Sequence, residues 1–179
     1  MRRPAVFLDR DGVINRAVIR DGIRCPPLSL QDLVILPRVS EALDALKARG
    51  YALVVVTNQP DVARGTSSRR AVDLIHAKLQ EELSLDAILT CFHDTADGCD
   101  CRKPKPGLLL RAARDLSINL AASFMVGDRW RDIEAGQRAG CRTFFIDEGY
   151  EESQETICDF RVGSLHHAAG IVLALSESS

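Results

Sequence analysis

The feature that most constrains the fold of this chain is the alternation of short apolar segments with segments of helical spacing. Residues 51–57 (YALVVVT) are continuously apolar and β-branched, which is typical of a strand buried on both faces of a parallel sheet. Residues 39–49 have helical spacing and are followed by Gly50, a common helix terminator. This alternation predicts an α/β fold, with an open, doubly wound, Rossmann-like parallel sheet and helices on both faces.

The predicted elements follow one another along most of the chain. Strands are expected at residues 4–9, 51–57, 86–92, 123–127, 142–146 and 160–162, and helices at residues 39–49, 67–83, 106–116, 131–139 and 164–176. Residues 12–36 are longer than a usual connection, and we interpret them as a small flap over the strand ends. We expect no large cap domain, and a chain of 179 residues suits one domain spanning residues 1–179.

The net charge limits the binding partners expected for the protein, and the first residues indicate how its cysteines should be interpreted. The formal net charge of −2 gives no bulk attraction to nucleic acid or to an anionic membrane, so we expect neither as a partner. No segment reaches the about 20 apolar residues of a membrane span, and the first residues do not resemble a secretory signal. We therefore expect a cytoplasmic protein with reduced thiols, so that its six cysteines are metal ligands or buried residues. A monomer is the default expectation.

Two carboxylates follow the first predicted strand, at Asp9 and Asp11. In sheets of this kind, ligands bind beyond the carboxyl ends of the strands. A carboxylate there can attack phosphorus, with Mg²⁺ reducing its repulsion from a phosphate, and a second carboxyl group can protonate the leaving oxygen and then activate water. An isolated pair of this kind would be better interpreted as a capped turn, so the assignment depends on the motifs that follow.

Three further motifs place polar groups at other strand ends or in a stiff loop. The hydroxyl of Thr57 can donate to a phosphoryl oxygen. Lys103 lies between a cysteine–arginine pair and two prolines, and can neutralise charge on a transferred group. Asp128 ends an apolar strand and suits a magnesium ligand, whereas Asp132 is better placed as an acid in the first turn of the next helix or as a group that orients a metal-bound water.

A second constellation joins Cys91, His93, Cys99 and Cys101. Zn²⁺ takes four such ligands tetrahedrally, and a complete set leaves no open position, so the segment 91–101 predicts a structural zinc site. The alternative is a set of unconnected buried thiols, which the polar character of this loop argues against. Binding of Cys101 to a metal would fix where the adjacent cations point. His76 lies in a predicted helix and is interpreted as a surface or packed residue.

The ordered motifs resemble those of the haloacid dehalogenase-like phosphatases over about residues 5–147. The resemblance implies that Asp9 is the nucleophile, that Asp11 is the general acid and base, and that Thr57 and Lys103 hold the phosphoryl group. It also implies a catalytic Mg²⁺ bound by the Asp9 carboxylate, the Asp11 main-chain carbonyl and Asp128.

The zinc loop resembles the branch of that family which contains the D-glycero-D-manno-heptose 1,7-bisphosphate 7-phosphatases and the histidinol-phosphate phosphatases. This resemblance implies a small phosphorylated sugar as substrate, with removal of the 7-phosphate of heptose bisphosphate in lipopolysaccharide biosynthesis as the leading hypothesis. Histidinol phosphate or another small sugar phosphate is the alternative. The expected substrate-binding residues are Asn15, Asn58, Gln59, Arg102 and Arg129. Residues 16–24 depart from the pattern of this branch, on the side that should face the substrate.

Two other classes of protein are less consistent with these motifs. A receiver domain also forms an aspartyl phosphate on such a sheet, but its acceptor follows the third strand, where this chain has Cys91 and His93. A non-catalytic zinc module that binds a protein or nucleic acid would not need the set of acids at the strand ends. The sequence therefore favours an enzyme.

Overall fold

The computed structural model of the protein describes residues 2–147, 149 and 156–177. Within these residues the strands are β1 Ala5–Leu8, β2 Val18–Arg20, β3 Ile23–Cys25, β4 Ala52–Asn58, β5 Ala87–Cys91, β6 Phe124–Gly127, β7 Arg142–Ile146 and β8 Phe160–Val162. The α-helices are α1 Val39–Ala48, α2 Arg69–Glu82, α3 Gly107–Asp115, α4 Trp130–Ala139 and α5 Leu165–Glu177. One sheet has the order β5-β4-β1-β6-β7-β8, and its neighbouring strands are all parallel.

The apolar side chains of the central strands point alternately to the two faces of the sheet, as strand geometry requires. On β1, Val6 and Leu8 pack with residues of α1, α2 and α5, while Ala5 and Phe7 pack with residues of α3 and α4. All four side chains are fully buried, and a buried side chain of the size of Leu or Phe stabilises the fold by about 1.5–3 kcal/mol. Helices therefore cover both faces, and the predicted doubly wound fold is confirmed.

The boundaries of the predicted strands and helices agree with the structure to within two residues. The side chain of Ser68 accepts a hydrogen bond from the Ala71 N–H at 3.1 Å, and this cap determines where α2 begins. The helix α4 ends at Gly140, whose φ of +83° is the left-handed conformation of a helix C-terminus. None of the helices in the described part of the chain is long and apolar enough to cross a membrane.

Residues 12–36, which we interpreted as a flap, contain the antiparallel hairpin β2–β3 and a 3-10 turn at Leu30–Asp32. Gly12 begins this segment with a φ of +91°, and a side chain there would collide with the carboxylate of Asp128. The chain can therefore leave β1 close to the end of β6 because this residue is a glycine. The hairpin returns toward the same strand ends, where the ion pair between Arg24 and Asp128 is 3.1 Å long.

Candidate active site

Three carboxylates meet beyond the carboxyl ends of β1 and β6. Asp9 follows β1, Asp128 follows β6, and Asp132 lies in the first turn of α4. One oxygen of each lies within 4.8 Å of the others, and the three residues are only 9%, 8% and 2% exposed. Carboxylate oxygens are the ligands that Mg²⁺ prefers, so this arrangement suits a divalent cation.

An unpaired oxygen supports that fit. The Oδ1 atom of Asp128 is buried, and no hydrogen-bond donor reaches it in the described part of the chain. A buried carboxylate oxygen without a donor is costly, and a metal ion removes that cost. Asp132, which the sequence suggested as a helix acid, accepts a hydrogen bond from the Arg129 N–H at 3.1 Å and also belongs to the cluster.

Lys103 is the buried cation of the cluster. Its Nζ lies 2.6 Å from Asp9 Oδ1 and 2.6 Å from Asp132 Oδ1, and it donates to the Val56 carbonyl oxygen at 2.7 Å. Asn58 holds the main chain of this lysine through two reciprocal hydrogen bonds of 3.1 Å each. The loop is thus fixed to the end of β4, and the ammonium group points to the Asp9 carboxylate.

Burial and mutual repulsion shift the pKa values of the clustered acids. The pKa of Asp9 is raised to about 6, because burial, together with the neighbouring carboxylates of Asp132 and Asp11, outweighs the attraction of Lys103. Burial also raises the pKa of Asp128 well above its usual range, and the negative charges of Asp9 and Asp132 add to this effect. Burial lowers the pKa of Lys103, but the two carboxylates outweigh it, so the net pKa is raised and the side chain stays charged. The cluster therefore carries excess negative charge.

Asp11 is held by several donors. Arg10 donates to both of its carboxylate oxygens at 3.0 Å, the amide of Asn15 donates to Oδ1 at 2.9 Å, and the amide of Gln59 donates to Oδ2 at 2.9 Å. The Gln59 amide also donates to the hydroxyl of Thr57 at 2.9 Å. We expected Asn15 and Gln59 to bind substrate, but both are buried and are absent from the residues that line the adjacent cavity. The structure places their amides against Asp11.

A cavity of about 360 Å³ opens above Asp9 and Asp11. Its wall includes Asn58 and carries an array of cationic side chains contributed by Arg24, Arg64, Arg102, Lys103, Arg129 and Arg131. Such a wall suits an anionic small molecule. The sequence predicted Arg102 and Arg129 at this position, whereas Arg24 and Arg131 carried no local signal, because the orientation of the hairpin and of the α4 N-terminus decides where they point.

The predicted zinc ligands lie together. The sulfur atoms of Cys91, Cys99 and Cys101 are 3.2, 3.4 and 3.7 Å apart, and the His93 Nδ1 atom lies 3.3 Å from Cys101 Sγ and 3.7 Å from Cys91 Sγ. Zn–S bonds of about 2.3 Å in a tetrahedron separate the sulfurs by about 3.8 Å, which is close to these distances. The four groups therefore fit one zinc ion.

The zinc loop also fixes cations of the cavity wall. Arg102, which follows the last predicted ligand, donates to the main-chain oxygen of His93 at 3.2 Å. Arg64 forms two hydrogen bonds of 2.7 Å with Asp94, which lies within the loop. Both arginines are therefore oriented by residues 91–101.

Sequence reasoning missed a buried pair behind Asp11. Arg10 is fully buried, and its Nη1 lies 3.0 Å from the Nε2 of His76 on α2. Burial, with a smaller contribution from the positive charge of Arg10, lowers the pKa of His76 to about 4, so the imidazole is neutral at neutral pH. Nothing in the spacing of the helix distinguished His76 from an ordinary packed residue.

Comparisons with known proteins identify the family of this chain. A family profile of haloacid dehalogenase-like hydrolases matches residues 16–140. The D-glycero-beta-D-manno-heptose-1,7-bisphosphate 7-phosphatase of Photorhabdus laumondii is 42% identical over 148 residues, covering 76% of each chain. The enzyme of the same name from Vibrio cholerae is 40% identical over 157 residues, covering 80% of each chain.

Two solved structures are similar in fold and length. The crystal structure of D,D-heptose 1,7-bisphosphate phosphatase from B. bronchiseptica, complexed with magnesium and phosphate, gives a TM-score of 0.84 at 31% identity and covers 96% of this chain and 99% of that chain. The D,D-heptose 1,7-bisphosphate phosphatase from Burkholderia thailandensis gives 0.69 at 26% identity, covering 96% of this chain and 99% of that chain.

Proposed function

The chain belongs to the haloacid dehalogenase-like hydrolase family and is a phosphatase, and from this premise we propose that it removes the 7-phosphate of D-glycero-D-manno-heptose 1,7-bisphosphate. The observation that carries the proposal is the buried contact between Asp9 and Lys103 on the floor of a cavity with a cationic wall. The relatives that carry the name of this activity, at 40–42% identity, support the choice of substrate.

We propose that Asp9 and Asp128, with the main-chain carbonyl of Asp11, hold the catalytic magnesium, and that Asp132 supports it from α4. When bound, Mg²⁺ reduces the repulsion between the Asp9 carboxylate and the phosphate. The orphaned Oδ1 of Asp128 supports this ligand set.

In the first step Asp9 attacks phosphorus, the bond from phosphorus to the sugar oxygen breaks, and Asp11 gives its proton to that oxygen. Lys103, which lines the cavity, holds the phosphoryl oxygens. Thr57, which the sequence predicts for the same role, is buried and absent from the cavity lining, and its hydroxyl accepts a hydrogen bond from the Gln59 amide. In the second step a water molecule attacks the phosphorus of the phospho-aspartate, and Asp11 takes a proton from that water. Phosphate leaves, and Asp9 returns to its starting state.

The remaining proposals concern substrate binding, zinc, assembly and pathway. We propose that Asn58, Arg102 and Arg129 contact the substrate at the cavity wall, while Asn15 and Gln59 act by orienting Asp11. We propose a structural zinc at residues 91–101, a single monomeric domain covering residues 1–179 with the flap at 12–36, and a place in lipopolysaccharide heptose synthesis. The cytoplasm, where thiols stay reduced, suits such a zinc site.

One experiment tests the role of Asp9 as nucleophile, and a second tests the identity of the substrate. Asp9→Asn should abolish release of phosphate, while Asp115→Asn, a change of the same chemistry at an exposed position on α3, should retain it. Substantial turnover by Asp9→Asn would refute the covalent mechanism. For the wild type, kcat/KM with heptose bisphosphate should exceed that with histidinol phosphate, and ³¹P NMR should show loss of the 7-phosphate. A preference for histidinol phosphate would refute the assignment of heptose bisphosphate as the substrate.

A further inference from the structure

In the sequence, a fully buried arginine separates the two aspartates that we propose as catalytic, Asp9 and Asp11. Arg10 is 0% exposed, although an arginine seldom loses all contact with water unless its charge is paired. Its Nη2 donates to both oxygens of Asp11 at 3.0 Å, and its Nε donates to Oδ1 at 3.2 Å. A guanidinium fork that grips one carboxylate in this way fixes the plane of the carboxyl group as well as its position.

The other end of the guanidinium is held from α2. The Nη1 of Arg10 lies 3.0 Å from the Nε2 of His76, which is buried in the middle of that helix. A guanidinium has donors and no acceptor, so Nε2 must be the unprotonated nitrogen and must accept. The neutral imidazole therefore carries its proton on Nδ1, and the contact is one hydrogen bond of defined direction.

We propose that His76 is a positioning residue of the phosphatase reaction: by accepting a hydrogen bond from Arg10, it holds the guanidinium that orients the Asp11 carboxyl group. This inference rests on the proposed acid and base role of Asp11. The amides of Asn15 and Gln59 hold the same carboxyl group independently. Loss of the histidine contact therefore weakens proton transfer without abolishing it, and roughly a 10- to 100-fold loss in rate is expected.

Leaving-group dependence separates this role from simple packing. The ratio kcat/KM reports the steps up to departure of the alcohol. A sugar oxygen needs the proton of Asp11 to leave, whereas 4-nitrophenolate leaves without one. A misplaced Asp11 therefore slows heptose bisphosphate more than 4-nitrophenyl phosphate, whereas general loosening of the fold slows both equally.

The experiment compares His76→Leu, His76→Gln and His76→Asn with the wild type at saturating Mg²⁺. In His76→Leu, kcat/KM should fall about tenfold further for heptose bisphosphate than for 4-nitrophenyl phosphate. Glutamine can place an acceptor near the former Nε2 and should restore most of the rate, whereas asparagine is too short and should not. If the leucine variant does not fold, the difference in kcat/KM between His76→Gln and His76→Asn tests the inference instead. Gln80→Ala, an exposed change one turn further along α2, is the matched control.

Equal losses for both substrates, or a His76→Leu variant with wild-type rates, would overturn the inference and leave the proposed function intact. Equal activities of the Gln and Asn variants would overturn it as well. A wild-type chain that hydrolyses no phosphomonoester would overturn the proposed function, and this inference with it.

Discussion

Replacing Lys103 by methionine removes a buried ammonium group while keeping most of the volume of the side chain. The lysine is 2% exposed and contacts Asp9 and Asp132 at 2.6 Å each. Without it, three neighbouring carboxylates, each at most 9% exposed, face one another at the floor of the cavity. We therefore expect the metal-free protein to lose stability, since removal of one partner of a buried ion pair leaves the other charge uncompensated.

The size of the loss follows from this geometry. Breaking a buried pair from one side costs about 3–5 kcal/mol, and for a domain of this size 1 kcal/mol corresponds to about 2–4 °C in Tm. We expect Tm to fall by about 10 °C at pH 8. The loss should shrink at pH 5, because the carboxyl groups then take up protons, and it should shrink with Mg²⁺, which binds the folded state.

Urea and thermal unfolding of the metal-free proteins measure the effect. Lys105→Met is the matched control, because Lys105 lies two residues away, is 44% exposed and pairs with Asp100 at 3.1 Å. An exposed pair of this kind contributes little, so the control should stay within about 0.5 kcal/mol of the wild type. If Lys103→Met were no less stable than Lys105→Met, the reasoning about the buried cluster would be refuted.

Three further predictions follow from the same site and its loops. Since the pKa of Asp9 is raised from 3.8 to about 6, the metal-free folded state binds its proton more tightly than the unfolded state, so stability should fall by about 3 kcal/mol as pH rises from about 4 to 6. Urea titrations at a series of pH values measure this slope, and Asp9→Asn should flatten it. Cys99→Ser should lower the zinc content below one per chain and reduce kcat/KM roughly tenfold, because the loop that aims the cavity cations loosens; an unchanged zinc content would contradict the site. Arg24→Ala removes a cation 3.1 Å from Asp128, so Mg²⁺ should bind about tenfold more tightly in a titration that follows the fluorescence of Trp130, the one tryptophan of the chain, and weaker binding would contradict this.

Most of the fold could be predicted because its determinants are local. Segments such as β4 contain a continuous apolar run, here residues 52–56, and are bounded by turn residues, and α4 is capped by Gly140 in a left-handed conformation. The strand ends of a parallel sheet lie along one edge, so polar residues that follow different strands could be expected to meet. That step brings Asp9 and Asp128 together without any knowledge of their contacts. The cluster of Cys91, His93, Cys99 and Cys101 could be predicted equally well, since all four residues lie within residues 91–101.

The support behind Asp11 could not be predicted, because the direction of a side chain depends on tertiary packing. His76 is 66 residues from Arg10 in sequence, and the spacing of α2 is consistent with either a surface or a packed residue at this position. For the same reason Asn15 and Gln59 were expected in the cavity wall, although the structure turns both amides toward Asp11. An amide near Asp11 can hydrogen-bond either to the substrate or to the Asp11 carboxylate, and the sequence does not distinguish these two partners.

The reacting groups and the cavity wall differ in how they are held. Asp9, Asp128 and Lys103 are buried at strand ends or hydrogen-bonded to one, so their positions follow from the sheet. The wall cations come from the hairpin β2–β3, from the loop after β4, from the zinc loop and from the start of α4. Changes in those loops can alter the distances between cations without moving the nucleophile. Departures from the family pattern at residues 16–24, which include Arg24, should therefore change which phosphorylated molecule is bound, through KM, more than how its phosphate is removed.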